Sequence, residues 1–355
     1  MKNTYVVIMA GGSGTRFWPR GRRSLPKQLL AMGPGGTLIQ ETWARIPASI
    51  GVERTLVLTG ASQVEALCEQ LPELSCENVI AEPAGRDTAP CIALAAAVVH
   101  RRCADAVMIV LAADHVIQPP EAFQHCLERA VQAARSTEGL ITLGIPPSYA
   151  ATGYGYLELG AEIEPGLREV ANFVEKPVEA VAQDYLAAGN YLWNSGIFIW
   201  KAATVLEELK VFVPQLAEGV ERIAAADGDE FDAILASDYP KLEKISIDYA
   251  VMERSKRRYC VPATFEWDDV GSFSALARLN PADARGNVAL GDVLVLDTKG
   301  CIIDNRSDGL VATLGVSDLI VVRTQDAVLV ARKDQAERVK EIVQELERKG
   351  ETRYL

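Results

Sequence analysis

Four short apolar runs, over residues 6–10, 56–58, 107–111 and 140–143, are almost uninterrupted by polar residues. Such runs suit strands buried on both faces of a parallel sheet. Stretches of helix length separate them, at 61–71, 88–101 and 119–136. Residues 88–99 are apolar nearly all round, which predicts a helix covered on every side, and Asp87 stands where an N-cap belongs. Strand and helix alternating in this way predict an α/β fold with right-handed crossovers. Ligands of such folds sit beyond the carboxyl ends of the strands. Here those ends read Gly11-Gly12, Thr59-Gly60, Ala113-Asp114-His115 and Gly144, the glycines and acid that a phosphate and metal site needs.

The rhythm changes after residue 145. Thr152-Gly153-Tyr154-Gly155-Tyr156 and Trp193-Asn194-Ser195-Gly196 punctuate strand-like pieces, which predict antiparallel additions to the sheet, and 201–256 reads as largely helical. Asn280-Pro281 and Arg285-Gly286-Asn287 mark the best boundary, dividing the chain into 1–280 and 281–355. Two units also suit a length of 355 residues. Up to 331, short Val/Leu/Ile strands alternate with Gly and Asp turns, predicting a small all-β unit. A terminal helix follows, with Asp334-Gln335-Ala336-Glu337 as its capping box and Ala336, Val339, Ile342, Val343 and Leu346 on one face.

Apolar residues make up 49% of the chain and charged residues 24%, an ordinary globular composition. No apolar run approaches the roughly 18 residues needed to cross a bilayer. The first one is too brief for a signal peptide, so a cytoplasmic protein without a membrane partner is expected. A net charge of −12 argues against a nucleic-acid partner. Yet residues 1–40 hold Lys2, Arg16, Arg20, Arg22, Arg23 and Lys27 and no acid. That cationic segment is either a solvated loop or the binding place of a small anion. The seven cysteines are odd in number and include no C-x-x-C, a poor disulfide framework and a poor zinc site. With three histidines and no G-x-S-x-G, the chemistry must rest mainly on carboxylates, lysine and arginine, with or without a metal.

The first apolar run leads into Gly11-Gly12-Ser13-Gly14-Thr15-Arg16. Glycines let backbone N–H groups approach phosphate oxygens closely, and Arg16 adds a bidentate charge. The spacing is not that of a Walker P-loop. It also fails the dinucleotide fingerprint, because Phe17 stands at the third glycine and no acid precedes Glu41. A tight structural turn is the alternative. From Ala10 to Pro19, closing with Pro26-Lys27-Gln28, the sequence resembles the signature of the sugar-1-phosphate nucleotidyltransferases. The resemblance continues in order through residues 82–90 (Glu82-Pro83-Ala84-Gly85-Arg86-Asp87-Thr88-Ala89-Pro90), Ala112-Ala113-Asp114-His115 and the two glycine- and asparagine-bearing motifs above. Phe173-Val174-Glu175-Lys176-Pro177, Ser246-Ile247-Asp248-Tyr249 and Trp267-Asp268-Asp269-Val270-Gly271 complete it, over about 5–275. Asp87 departs from the family's usual Asn, Asp268 from a frequent Ser, and Phe273 from a common Trp.

The resemblance implies a Rossmann-like nucleotidyltransferase domain with a mixed, mainly parallel sheet, then a small left-handed β-helix-type domain. The activity it implies is Mg²⁺-dependent transfer of GMP from GTP to α-D-mannose 1-phosphate, releasing pyrophosphate. A different sugar phosphate or base, or a non-catalytic regulatory relative that binds nucleotide sugars, stand as alternatives. Retention of Lys27, Asp114 and Asp269 speaks against the regulatory one. By the same resemblance Arg16, Lys27 and Asp114 are catalytic. Ala10, Gly11, Gly12, Ser13, Gly14, Thr15, Arg16, Lys27, Glu82, Arg86, Asp87 and Thr88 bind nucleotide. Gly153, Glu175, Lys176 and Asn194 bind the sugar phosphate, and Asp114 and Asp269 hold the metal. A homodimer is expected, without the fused cupin-type isomerase domain of longer relatives. A sugar phosphate is already an anionic nucleophile and needs no general base, so alignment and charge neutralisation would carry catalysis. Consecutive side chains point apart, so only one of Asp268 and Asp269 should reach the metal. Glu82 is either an acceptor for guanine or a structural acid, and Trp193 and Trp200 read as packing residues.

Overall fold

The computed structural model describes every residue except Ser13 and Pro34. In chain order its first strands are β1 (Thr4–Met9), β2 (Thr55–Gly60), β3 (Val79–Glu82), β4 (Val107–Ala112), β5 (Val116–Gln118) and β6 (Leu140–Ile145). Then come β7 (Tyr156–Glu164), β8 (Leu167–Val174), β9 (Tyr191–Lys201), β10 (Arg258–Pro262) and β11 (Glu266–Asp268). Nine of these form one sheet in the order β3-β2-β1-β4-β9-β6-β10-β8-β7. The first four are mutually parallel. β9 enters antiparallel between β4 and β6, and β7 and β8 add an antiparallel arm, so the sheet is mixed as the change of rhythm predicts. β5 and β11 make a separate two-stranded ribbon.

The apolar runs are uninterrupted because both sheet faces are covered. Val6 and Ile8 join Val57, Ile109 and Leu111 beneath the helix Pro120–Thr137. Val7 joins Leu56, Leu58 and Val110 against the helix Thr88–Arg102. Successive side chains thus enter opposite layers. The helix Thr88–Arg102 is itself covered by Ala202–Phe212 and Pro214–Ala224, which explains its apolar circumference. Its N-cap is Asp87, whose Oδ1 accepts from the Thr88 N–H at 2.8 Å. The chain leaves β1 toward β2 on one side while β4 flanks it on the other, opening a crevice at the carboxyl ends of β1 and β4.

The C-terminal strands are β12 (Val288–Leu290), β13 (Val293–Leu296), β14 (Ile302–Asn305), β15 (Val311–Leu314), β16 (Leu319–Arg323) and β17 (Val328–Arg332). β12, β14 and β16 stack in parallel on one face, closed by antiparallel β17, while β13 and β15 stack in parallel on another. Each circuit of the chain lays one strand on each face, a small β-helix. Cys301, Ile303 and Val321 fill it with Val293 and Val311. Its other apolar residues, Ile302, Ile320, Val322 and Leu329, share a core with Phe17, Trp18, Leu30 and Phe273.

The terminal helix, Val339–Lys349, packs into that same core through Ala336, Val339, Ile342, Val343 and Leu346, the face expected. The capping box does not form. A 3₁₀ turn, Lys333–Arg338, precedes the helix; Asp334 pairs with Arg332 and Glu337 with Arg16, so arginines outside the box take both acids. All seven cysteines are free, and Cys91, Cys126, Cys260 and Cys301 are buried. Among the described residues no helix is long and apolar enough to cross a membrane.

Candidate active site

The glycine loop begins where β1 ends, and its first carbonyl is fixed from two sides. Gln28 Nε2 donates to the Ala10 carbonyl at 2.6 Å and Thr59 Oγ1 donates to it at 3.0 Å. Gly14 adopts φ +59°, and a Cβ there would lie 2.7 Å from the Lys27 backbone N, so this position accepts no side chain. A Cβ at Gly12 would meet nothing within 4 Å, which leaves its backbone open to the crevice. Ser13 lies outside the described residues.

Lys27 stands at the centre of the crevice. Its buried ammonium donates to Asp114 Oδ2 at 2.7 Å and to the Asp269 carbonyl at 2.6 Å, leaving one of its three donors over. Burial would raise the Asp114 pKa, but the attraction of Lys27, then of His115, holds it below the ordinary carboxylate range. Burial lowers the His115 pKa against the pull of Asp114, and its Nδ1 accepts from Trp267 Nε1 at 3.1 Å. Tyr154 O–H donates to Asp269 Oδ1 at 2.8 Å. One oxygen of each acid is therefore held, while Asp114 Oδ1 has only His115 Nε2 at 3.9 Å and Asp269 Oδ2 has no hydrogen bond among the described residues. A Cβ at Gly271 would come within 3.1 Å of Asp269 Oδ2, so this glycine keeps room beside it. Two hard oxygens on one cavity suit a divalent ion that takes its other ligands from phosphate and water. No group of three or more metal-ligating side chains occurs among the described residues, so a full protein cage is not built here.

Asp268 faces elsewhere. It binds Arg278, whose Nη2 donates to Oδ1 at 2.9 Å, and the same Oδ1 accepts from the Val270 N–H at 2.7 Å. Val270, buried and β-branched, sits at φ +49°, a strained conformation that this bond helps to hold.

Arg16 lines the same 370 Å³ cavity as Lys27, Asp114 and Asp269, but its Nε is paired with Glu337 at 2.8 Å, so it is not free as the charge pattern suggests. The other arginines of the cationic segment are drawn off in the same way, Arg22 by Asp326 and Arg23 by Glu347. The acids that neutralise them all lie beyond residue 300, where a local reading does not look.

A second cavity, of about 300 Å³, adjoins the first and shares Gly12, Gln28 and Asp114 with it. It gathers Ala10, Gly11, Glu82, Arg86, Asp87 and Thr88. Glu82 accepts from the Tyr239 hydroxyl, and burial raises its pKa. Arg86 Nε is buried without a hydrogen-bond partner among the described residues. Thr88 Oγ1 accepts from the Ile247 N–H at 2.9 Å. A larger space of 780 Å³ lies across the β5–β11 ribbon, lined by Trp267, Asp268 and Arg278, and touches none of the expected site residues.

On the far side of Tyr154, whose carbonyl accepts from the Lys176 N–H, the structure brings Glu175, Lys176 and Asn194 together. Glu175 Oε1 pairs with Lys176 Nζ at 2.8 Å; Oε2 is buried with no partner among the described residues. A Cβ at Gly155 would press on that Oε2, whereas one at Gly153 would meet nothing within 4 Å. The close approach in this corner is thus at Gly155, and Gly153 lies clear of it. Asn194 keeps one amide N–H without a hydrogen bond among the described residues. Its Oδ1 accepts from Thr142 and its other N–H donates to Asp248 Oδ1 at 3.0 Å, so the amide is held in one orientation. Asp248 itself is buried near Glu175; burial, then the Glu175 charge, push its pKa up to about 7. Gln28, Tyr154, Gly155 and Asp248 were all visible in motifs, but nothing local distinguishes them from their neighbours. Trp200 is fully buried, and Trp193 packs edge-on against Tyr149 and Tyr154, so both are packing residues.

A glycine loop faces two acids across the switch point of a Rossmann-like sheet, and residues 5–286 of this enzyme match the nucleotidyl transferase family. The chain belongs to that family. Residues 291–346 match the mannose-phosphate isomerase/GMP-like β-helix domain. The chain is 40% identical over 353 residues to a protein of Vibrio cholerae serotype O1 described as a putative mannose-1-phosphate guanylyltransferase, covering 98% of this chain and 75% of that one. It is 41% identical over 357 residues to the mannose-1-phosphate guanylyltransferase of Escherichia coli K12, covering 98% and 74%. A crystal structure from Thermus thermophilus, described as a mannose-1-phosphate geranyltransferase, superposes with a TM-score of 0.87 at 38% identity, covering 97% and 99%.

Proposed function

We propose that this chain transfers GMP from GTP to α-D-mannose 1-phosphate, giving GDP-mannose and pyrophosphate. The observation that carries this reading is the cavity in which Lys27 joins Asp114 to the Asp269 backbone beside the glycine loop, in a chain about 40% identical to relatives described as mannose-1-phosphate guanylyltransferases. The nucleoside would occupy the cavity of Glu82 and Arg86, and the phosphates that of Lys27 and Arg16. The spare donor of Lys27 would meet an α-phosphate oxygen, and Lys176 would meet the phosphate of the sugar. The buried, unpartnered Glu175 Oε2 would accept from a sugar hydroxyl. An oxygen of the sugar phosphate forms a bond to the α-phosphorus as the bond to the bridging oxygen breaks; the electron pair leaves with pyrophosphate. No proton moves, so no general base is required. The free oxygens of Asp114 and Asp269 would hold Mg²⁺, which when bound neutralises phosphate charge.

Residues 1–280 form the catalytic unit in this reading and 281–355 the β-rich unit. Seven free cysteines and the lack of a membrane-crossing helix among the described residues support a cytoplasmic setting. Leu294, Leu296, Leu310 and Leu314 are exposed on or beside β13 and β15, which supports a homodimer formed through that face. Sedimentation should give twice the 38.4 kDa chain mass and Leu314→Glu should give the monomer; a wild-type monomer removes the dimer. The activity is tested by pyrophosphate release from four nucleoside triphosphates, each offered with several sugar 1-phosphates. The greatest release is expected with GTP and mannose 1-phosphate. Preference for a pyrimidine triphosphate would overturn the guanylyl reading, and release with no pair would overturn the transferase.

A further inference from the structure

The phosphate cavity has one wall that no nucleotidyltransferase motif supplies. Lys340, in the first turn of the terminal helix, lines it together with Arg16, Lys27 and the glycine loop. Lys340 has no hydrogen bond or ion pair to any described residue. One helical turn earlier, Glu337 holds Arg16 at 2.8 Å. The terminal helix therefore brings to the cavity a cation without a partner and an acid that occupies a cation.

The order of the two cavities says which phosphates Lys340 would meet. They join at Gly12, Gln28 and Asp114, and Lys340 lines only the one away from Glu82 and Arg86. A nucleotide with its nucleoside in the Glu82 cavity extends its phosphate chain toward Lys340. Side chains of Arg16 and Glu337 are 44% and 64% exposed, so their pair is weak and easily displaced by a polyanion.

We propose that Lys340 binds the terminal phosphates of the nucleoside triphosphate and the pyrophosphate that departs, and that Glu337 occupies Arg16 until those phosphates displace it. The proposal rests on the nucleotide reading above. In it the terminal helix completes the active site. As the bond from the α-phosphorus to the bridging oxygen breaks, negative charge accumulates on the pyrophosphate, where Lys340 stabilises it.

The test is equilibrium binding of GTP, GMP and pyrophosphate to the full chain and to three variants, each checked by thermal melt. Lys340→Met should weaken GTP and pyrophosphate about tenfold, the worth of one charge-assisted contact, and leave GMP unchanged. Lys340→Arg should restore GTP affinity to within about threefold. Glu337→Gln should tighten GTP by up to about fivefold, the worth of an exposed pair. Wild-type affinity for GTP in Lys340→Met would overturn the proposal, as would equal weakening of GTP and GMP, which marks a structural role. A wild-type chain that binds neither GTP nor any other nucleoside triphosphate would instead overturn the nucleotide reading itself.

Discussion

Asp268 and Asp269 are neighbours in sequence with opposite surroundings. Asp269, held through Oδ1 by Tyr154, lines the Lys27 cavity, while Asp268 turns to Arg278 and to the N–H of the strained Val270. Asp269→Asn is therefore expected to lose nearly all Mg²⁺-dependent turnover, since an amide is a poor ligand for so hard an ion. Asp268→Ser should keep most activity, because a serine hydroxyl can still accept from the Val270 N–H. Its loss of the Arg278 pair should cost about 1 kcal/mol of stability, as Arg278 is half exposed. A Mg²⁺ titration of turnover with thermal melts of both variants checks this; an inactive Asp268→Ser beside an active Asp269→Asn would reverse the two roles. The divergence was legible in the sequence because adjacent side chains cannot share one small ion. The partner of Asp268 was not, since nothing near it singles out Arg278.

At the scale of elements, what could be read in advance divides at the sheet. β1 and its loop were legible because an apolar run buried on both faces and a glycine forced to φ +59° both leave local marks. The corner around Glu175 is built differently, from Glu175 and Lys176 just after β8, the β9 asparagine and Asp248 of a short π-helical segment, Asp248–Met252. Asp248 carries the consequence. Its folded pKa of about 7 lies above the ordinary carboxylate value, owing first to burial and then to Glu175, with Lys176 and the Asn194 amide opposing. The neutral form is thus the one the fold favours. Its stabilisation is complete below the unfolded pKa, near 4, and is lost as pH rises through 7. Asp248→Asn keeps the acceptor for Asn194 and removes the ionisation. The variant's Tm should fall less than that of wild type between pH 5 and pH 8. Parallel Tm profiles for the two proteins across that range would show that Asp248 does not titrate there.

The whole molecule is held by contacts that no window of sequence contains. Arg20 donates to Asp304 at 2.8 Å across 284 positions, both side chains almost wholly buried, and Trp18 Nε1 donates to the Tyr354 carbonyl at 2.8 Å across 336. These bonds lie along the segment that leads from the glycine loop to Lys27, so the β-rich unit braces the Lys27 cavity. Residues of both units also fill one core, Phe17, Leu30 and Phe273 with Ile302, Ile320 and Leu329. A shared core predicts a single cooperative thermal transition rather than two. Burial weighs against the Arg20 charge and Asp304 answers it, so removing the acid alone should be worse than removing both charges. Asp304→Asn is expected to cost about 3–5 kcal/mol, because Arg20 is left charged and buried. Arg20→Met combined with Asp304→Asn should recover a large part of that loss, the interaction a double-mutant cycle measures. Turnover below the melting range should fall in Asp304→Asn through displacement of the 16–27 segment. If Asp304→Asn melts as wild type does, or the double variant is the less stable of the two, the Arg20–Asp304 pair does not hold the units together, and the shared apolar core and the other polar contacts between them do so.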